Sequence, residues 1–194
     1  MNWIRTYSGK DVSLSDPQPV SIEIRDIACS LSRINRFNGA TRLPLNVADH
    51  SLNVVRWLAM SKASPFVQLL GLLHDAHEAY IGDITEPMRR EISEWAGRSI
   101  VEQIAGRLDK AIRLAFDLGE TVDSRMLDRV QLADRAVAAA EWRDLMDGPS
   151  PIAAQPAPFA IKPKNSDQAE AAFLKTFQLL HTEVGPAPTN PFRS

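Results

Sequence analysis

The side chains best placed for chemistry in this 194-residue chain are imidazoles and carboxylates standing where apolar residues belong. Three of its four histidines, His50, His74 and His77, lie close together in the first half. His50 follows Val47 by three residues and precedes Val54 by four, so it projects from the apolar stripe of a helix. The pair His74-Asp75 interrupts the most hydrophobic run of the sequence, Leu69-Leu70-Gly71-Leu72-Leu73. Asp134 comes four residues after Val130 and three before Val137, again on an inward face. An unpaired charge is costly to bury, so each of these groups needs a partner. Taken singly, each has an ordinary explanation: a core histidine held by hydrogen bonds, or an aspartate paired with an arginine such as Arg135. Taken together, one divalent cation held by His50, His74, Asp75 and Asp134 satisfies them all. Mixed imidazole and carboxylate ligation suits Mn, Co, Fe, Ni or Zn, with Mg also possible. One such metal per chain is the expected cofactor, and its chemistry is the activation of water against a charged, slow-reacting ester.

The elements that must carry these groups read as helices. The first twenty residues are turn-rich and form a short arm or hairpin around Trp3, Ile4, Tyr7, Val12 and Leu14. Ile24, Ile27, Leu31 and Ile34 mark a first helix over about 21–36, broken by Asn38-Gly39. A second helix starts at Asn46 or Asp49 and carries His50, with Val47, Val54, Val55 and Leu58 inward. Ser64-Pro65 caps a third, whose body runs from Phe66 to Tyr80 and ends at Gly82. A fourth occupies 91–118 up to Gly119, and Asp123 or Ser124 opens the helix bearing Asp134. Residues 148–164 are Pro/Ala-rich without period, a loop long enough to be functional or mobile. Ser166 begins the last helix. The expectation is an all-α bundle of about six to seven helices in one domain, 1–183, followed by a tail at 184–194.

Composition limits the partners. With 44% hydrophobic residues and a formal charge of −2, the chain is neither disordered nor broadly basic, which excludes nucleic acid as a general partner. A single cysteine, Cys29, rules out an internal disulfide framework and reads as buried on the first helix. No apolar run approaches the ~20 residues of a membrane span and no signal-peptide layout opens the chain, so no membrane partner and a cytoplasmic setting are expected.

The order His50, His74-Asp75, Asp134 resembles the H…HD…D signature of HD-domain metal-dependent phosphohydrolases. The stretch His74-Asp75-Ala76-His77-Glu78-Ala79-Tyr80-Ile81-Gly82-Asp83 is similar to the H-D-x-x-E-x-x-x-G-D segment of HD-domain 5′-deoxynucleotidases. Ile34-Asn35-Arg36-Phe37, Ala48-Asp49-His50-Ser51-Leu52 and Leu132-Ala133-Asp134 resemble other segments of those enzymes. The N-terminal Tyr7-Ser8-Gly9 and Leu14-Ser15-Asp16-Pro17 resemble a small phage and bacterial branch. The resemblance implies an HD-type helical bundle that hydrolyses a (deoxy)nucleoside 5′-monophosphate, with a triphosphohydrolase or a catalytically silent nucleotide sensor as alternatives.

It further implies roles for particular residues. Glu78, one turn beyond His74, would act as general base or acid, or else orient a histidine. Asp83 would place water or a ribose hydroxyl, unless it only caps the following helix. Arg36 would bind phosphate through its planar fork, and Phe37, where the deoxynucleotidases carry tryptophan, would stack on the base or sugar unless it serves only in packing. Arg89 would add positive charge, unless it only lies on a solvated helix face, and His77 would face the substrate or solvent rather than the metal. The run Glu141-Trp142-Arg143-Asp144 reads as helix packing and surface salt bridges. A homodimer is the quaternary state the resemblance suggests.

Overall fold

Local signals of cap and period translate directly into the helices seen in a computed structural model, which describes residues 2–185. The tail expected at 184–194 lies almost wholly outside the described residues. A two-stranded antiparallel hairpin, β1 (Trp3–Arg5) and β2 (Asp11–Ser13), precedes eight helices. These are α1 (Ile24–Leu31), α2 (Val47–Met60), α3 (Pro65–Leu72), α4 (Glu78–Ile81), α5 (Glu86–Ala96), α6 (Ile100–Ala115), α7 (Ser124–Leu145) and α8 (Ser166–Val184). The all-α expectation holds. Helix starts follow the chemistry of their caps: Asn46, Ser64 and Asp123 accept backbone N–H groups, and Asn165 closes a reciprocal capping box with Gln168.

The count exceeds six to seven because two expected helices break. The helix expected to continue to Tyr80 stops at Leu72, and residues 74–77 form tight turns with i to i−3 hydrogen bonds such as Ala76 N–H to Leu73 O at 3.0 Å. The Gly71 carbonyl, which a continued α-helix would offer to the Asp75 N–H, instead accepts from His74 Nδ1 at 2.8 Å. His74 and Asp75 therefore occupy a break between α3 and α4 rather than a helix interior. The 91–118 stretch likewise splits, at Gly97 in the left-handed conformation (φ 66°). The first helix ends at Leu31, so Arg36 lies beyond it in a 3-10 turn, Arg36–Gly39.

α2, α3, α7 and α8 pack together around a core of Leu58, Leu69, Leu72, Val137 and Phe173, all fully buried. Gly71 lets α3 lie against α2, since a Cβ there would meet Leu58 Cδ1 at 2.4 Å. The loop at 148–164 is irregular but anchored. Ala157, Phe159 and Ile161 are buried, Arg143 donates to the carbonyls of Ala157 (3.2 Å) and Phe159 (2.9 Å), and Asp144 accepts from Ile161 N–H (2.8 Å). Cys29 is buried on α1.

Candidate metal centre

α2, the turn after α3 and α7 each direct a chemical group to one point. His50 is fully buried and its Nδ1 lies 2.7 Å from Glu141 Oε1, while His74 Nδ1 donates to Gly71 O. A carboxylate and a carbonyl only accept, so each Nδ1 carries a proton and Nε2 is the ring nitrogen left to offer a lone pair to a metal. Those two Nε2 atoms are buried and have no hydrogen-bond partner. Carboxylate oxygens nevertheless lie close to them. Asp134 Oδ1 is 3.1 Å from His50 Nε2 and 3.8 Å from His74 Nε2; Asp75 Oδ2 is 3.1 Å from His74 Nε2 and 3.8 Å from His50 Nε2.

Two ligands of one ion, each bonded at ~2.1 Å, are separated by no more than ~4.2 Å. All four nitrogen–oxygen distances fall inside that limit, so each aspartate can share a divalent cation with both imidazoles. A hollow of about 430 Å³ lined by His74, Asp134, Leu127, Asp128, Val130 and Gln131 gives the point access to solvent. His50, His74 and Asp134 form one cluster whose donor atoms lie within 4.8 Å of one another, and Asp75 falls in an adjoining cluster with His77 and Glu78.

The electrostatics follow from this crowding. Burial opposes a charge on His74, yet Asp75 and Asp134 outweigh it and raise its pKa well above the ordinary imidazole value. Burial also disfavours the charged forms of Asp75 and Asp134, but the two imidazoles hold both carboxyls far below the usual carboxylate range. Glu78 goes the other way. Burial, then the charges of Asp75 and Asp83, push its pKa up to about 9, and its Oε2 is buried without a partner. Asp83 is raised as well, mainly by burial, with Arg36 working against the shift.

Arg36 reaches the centre from the 3-10 turn, where Phe37 and Asn38 adopt positive φ (both 53°). Its backbone is pinned by Arg36 N–H to Leu45 O at 2.8 Å, and its guanidinium lies 3.5 Å from Asp75 Oδ2 and 3.1 Å from Glu141 Oε2. Phe37 packs edge-on against Trp142, with ring centroids 6.0 Å apart. Arg89 stands apart from the four-donor point, and His77 flanks it beside Asp75. His77 Nδ1 pairs with Asp109 at 3.0 Å, Arg89 with Glu86 at 3.0 Å, and both line a separate cavity of about 230 Å³ that Glu78 and Gly82 also border.

Sequence reasoning missed Glu141. Read as surface packing, it is fully buried and bonded to both His50 and Arg36. Its signal was present: Glu141 follows Asp134 by seven residues, two helical turns along the same face of α7, amid Ala136, Val137, Ala139 and Ala140.

Comparison with known proteins bears on the same elements. The family model "HD domain" matches residues 47–140, from the start of α2 to the residue before Glu141. An uncharacterized protein of Rhodobacter capsulatus is 36% identical over 145 residues, covering 72% of this chain and 70% of that protein. The chain belongs to the HD domain family, a family of metal-dependent phosphohydrolases. The uncharacterized protein YfdR of Escherichia coli is 31% identical over 145 residues, covering 75% of this chain and 73% of YfdR. The matched span holds His50, His74, Asp75, Glu78, Asp83 and Asp134, but neither Arg36, Phe37 nor Glu141. No helix among the described residues is long and apolar enough to cross a membrane.

Proposed function

We propose that this HD domain hydrolyses the phosphate ester of a nucleotide, a (deoxy)nucleoside 5′-monophosphate. The observation that carries this reading is the convergence of two bare imidazole nitrogens and two carboxylates beside one buried arginine, Arg36. His50, His74, Asp75 and Asp134 would hold the divalent ion, which supplies water activation and charge neutralisation at the phosphoryl group. Arg36 is 12% exposed and anchored on Glu141, so its outer guanidinium face can bind a phosphoryl oxygen without reorganising. A single such arginine suits one phosphoryl group rather than three.

Burial and the charges of Asp75 and Asp83 favour the protonated form of Glu78, the form that can donate to a leaving alkoxide. An ion beside Asp75 removes the like-charge part of that shift and leaves the part due to burial. Asp83, also raised, would orient a ribose hydroxyl or water near Glu78. A homodimer fits the same reading, and Trp95 and Met88 offer exposed apolar surface on α5 for it; light scattering on the eluted peak tests this. The deciding experiment incubates Mn- or Co-loaded protein with a panel of nucleoside mono- and triphosphates. Release of inorganic phosphate from monophosphates supports the proposal. Triphosphate release shifts the reading to a triphosphohydrolase, and inactivity at full metal occupancy refutes an enzyme in favour of a sensor.

A further inference from the structure

Three carboxylates outside the metal-ligand set are fully or almost fully buried: Asp26, Asp49 and Glu141. Two of them hold chain segments in place. Asp26 accepts from the N–H and hydroxyl of Ser8, both at 2.8 Å, and Asp49 accepts from the N–H (2.9 Å) and Nζ (2.7 Å) of Lys164. Glu141 instead holds two side chains at the centre. Its two oxygens divide between His50 Nδ1 at 2.7 Å and Arg36 Nε at 3.1 Å.

We propose that Glu141 is the positioning residue of the metal centre, holding His50 with a bare Nε2 and fixing the Arg36 guanidinium beside Asp75. The inference rests on the metal reading above and goes beyond the family match, which ends at residue 140. Both contacts need an acceptor. Nδ1–H of His50 and Nε–H of Arg36 are donors, and a carboxylate supplies an acceptor oxygen to each. An amide of the same shape supplies only one. If the oxygen of a glutamine faced His50, its NH₂ would face the Arg36 donor. If it turned, the NH₂ would donate to Nδ1 and drive the proton to Nε2, removing the lone pair a metal needs.

Bulk water does not reach Glu141 or His50, both at 0% exposure. The other imidazole is independent of this device, since His74 takes its orientation from the Gly71 backbone carbonyl. His50 is thus the ligand whose orientation depends on a side chain, and that side chain also carries Arg36. Metal binding and phosphate binding share one support.

The test measures Mn²⁺ affinity of the full chain by titration calorimetry, alongside ¹⁵N NMR of the histidines in Zn-loaded protein. Glu141→Gln should weaken Mn²⁺ binding about 10–100-fold, and Glu141→Asp, which keeps two acceptor oxygens, should recover part of that loss. In the wild type, His50 should carry its proton on Nδ1 and none on Nε2. Glu141→Gln binding within about twofold of wild type would overturn the inference, since loss of such a support ordinarily costs tenfold or more. A proton on His50 Nε2 of the Zn-loaded wild type overturns it equally, and that measurement needs no variant to fold. Wild-type protein that binds no divalent ion sinks the metal reading itself, an outcome distinct from wild type and Glu141→Gln binding alike.

Discussion

Chelating the ion should remove a measurable part of the stability of the fold, and Asp75→Ala should remove the effect of the ion. The four donors sit at residues 50, 74, 75 and 134, on α2, the turn after α3, and α7. They meet only when those elements are packed, so the unfolded chain offers no equivalent site. An ion that binds the native state alone stabilises it by about 2.7 kcal/mol at 100 times its Kd. For a chain of this size each kcal/mol raises Tm by about 2–4 °C, so Mn²⁺ should raise Tm by about 5–11 °C over the chelated protein.

The increment carries a pH dependence whose sign follows from His74. In chelated protein its pKa is raised, because Asp75 and Asp134 outweigh the effect of burial. Protonation therefore contributes stability that is complete below the ordinary imidazole pKa of ~6.5 and is lost as pH rises through the raised value. The ion displaces that proton, so the Mn²⁺ increment should grow with pH across the same window. Differential scanning calorimetry with Mn²⁺ or EDTA, on wild type and Asp75→Ala, measures both effects. An equal Mn²⁺ shift in Asp75→Ala, or an increment that shrinks as pH rises, would refute the reasoning.

Glu78→Gln should keep metal occupancy and lose about 10²–10⁴-fold in kcat, because an amide cannot supply a proton; parallel metal analysis and turnover assays check this. Gly71→Ala should destabilise by up to ~2 kcal/mol in urea titration: forcing a methyl against Leu58 Cδ1 at 2.4 Å costs ~1–3 kcal/mol, against a helix-propensity gain of ~1. Asp144→Asn should weaken the anchor of the 157–161 segment and speed limited proteolysis there. In the wild type the hydrogen bond from Arg143, helped by Ile161 N–H, holds the Asp144 carboxyl below its usual range. Its contribution is present above the ordinary Asp pKa of ~3.9 and is lost as pH falls through the lowered value, so proteolysis of wild type should accelerate in acid and that of Asp144→Asn should not change over the same window.

The helical class and most helix starts were legible because they depend on local chemistry. Ser64-Pro65, Asp123 and Asn165 cap their helices with side chains a few residues away. Apolar period located α1, α2, α6 and α7 for the same reason, since a stripe that must be buried repeats every third or fourth residue. The break at Leu72 was not legible. Its sequence is uniformly apolar, and the helix ends where the His74 ring takes the Gly71 carbonyl, a choice made by the site rather than by propensity. Loop 148–164 read as functional or mobile because its anchors, Arg143, Asp144 and Asp49, lie on α7 and α2.

What the sequence indicated by itself was a set of polar groups, His50, His74, Asp75 and Asp134, in an apolar setting where burial demands partners for them. What the tertiary structure decided was which groups support them. His77 pairs with Asp109 and Arg89 with Glu86, whereas Glu141 turned inward to His50 and Arg36. The seven-residue spacing from Asp134 puts Glu141 on the inward face of α7, but it does not say which group across the core will be its partner. Packing of α2 against α7 brings those two groups within 2.7 Å, across a separation of 91 residues.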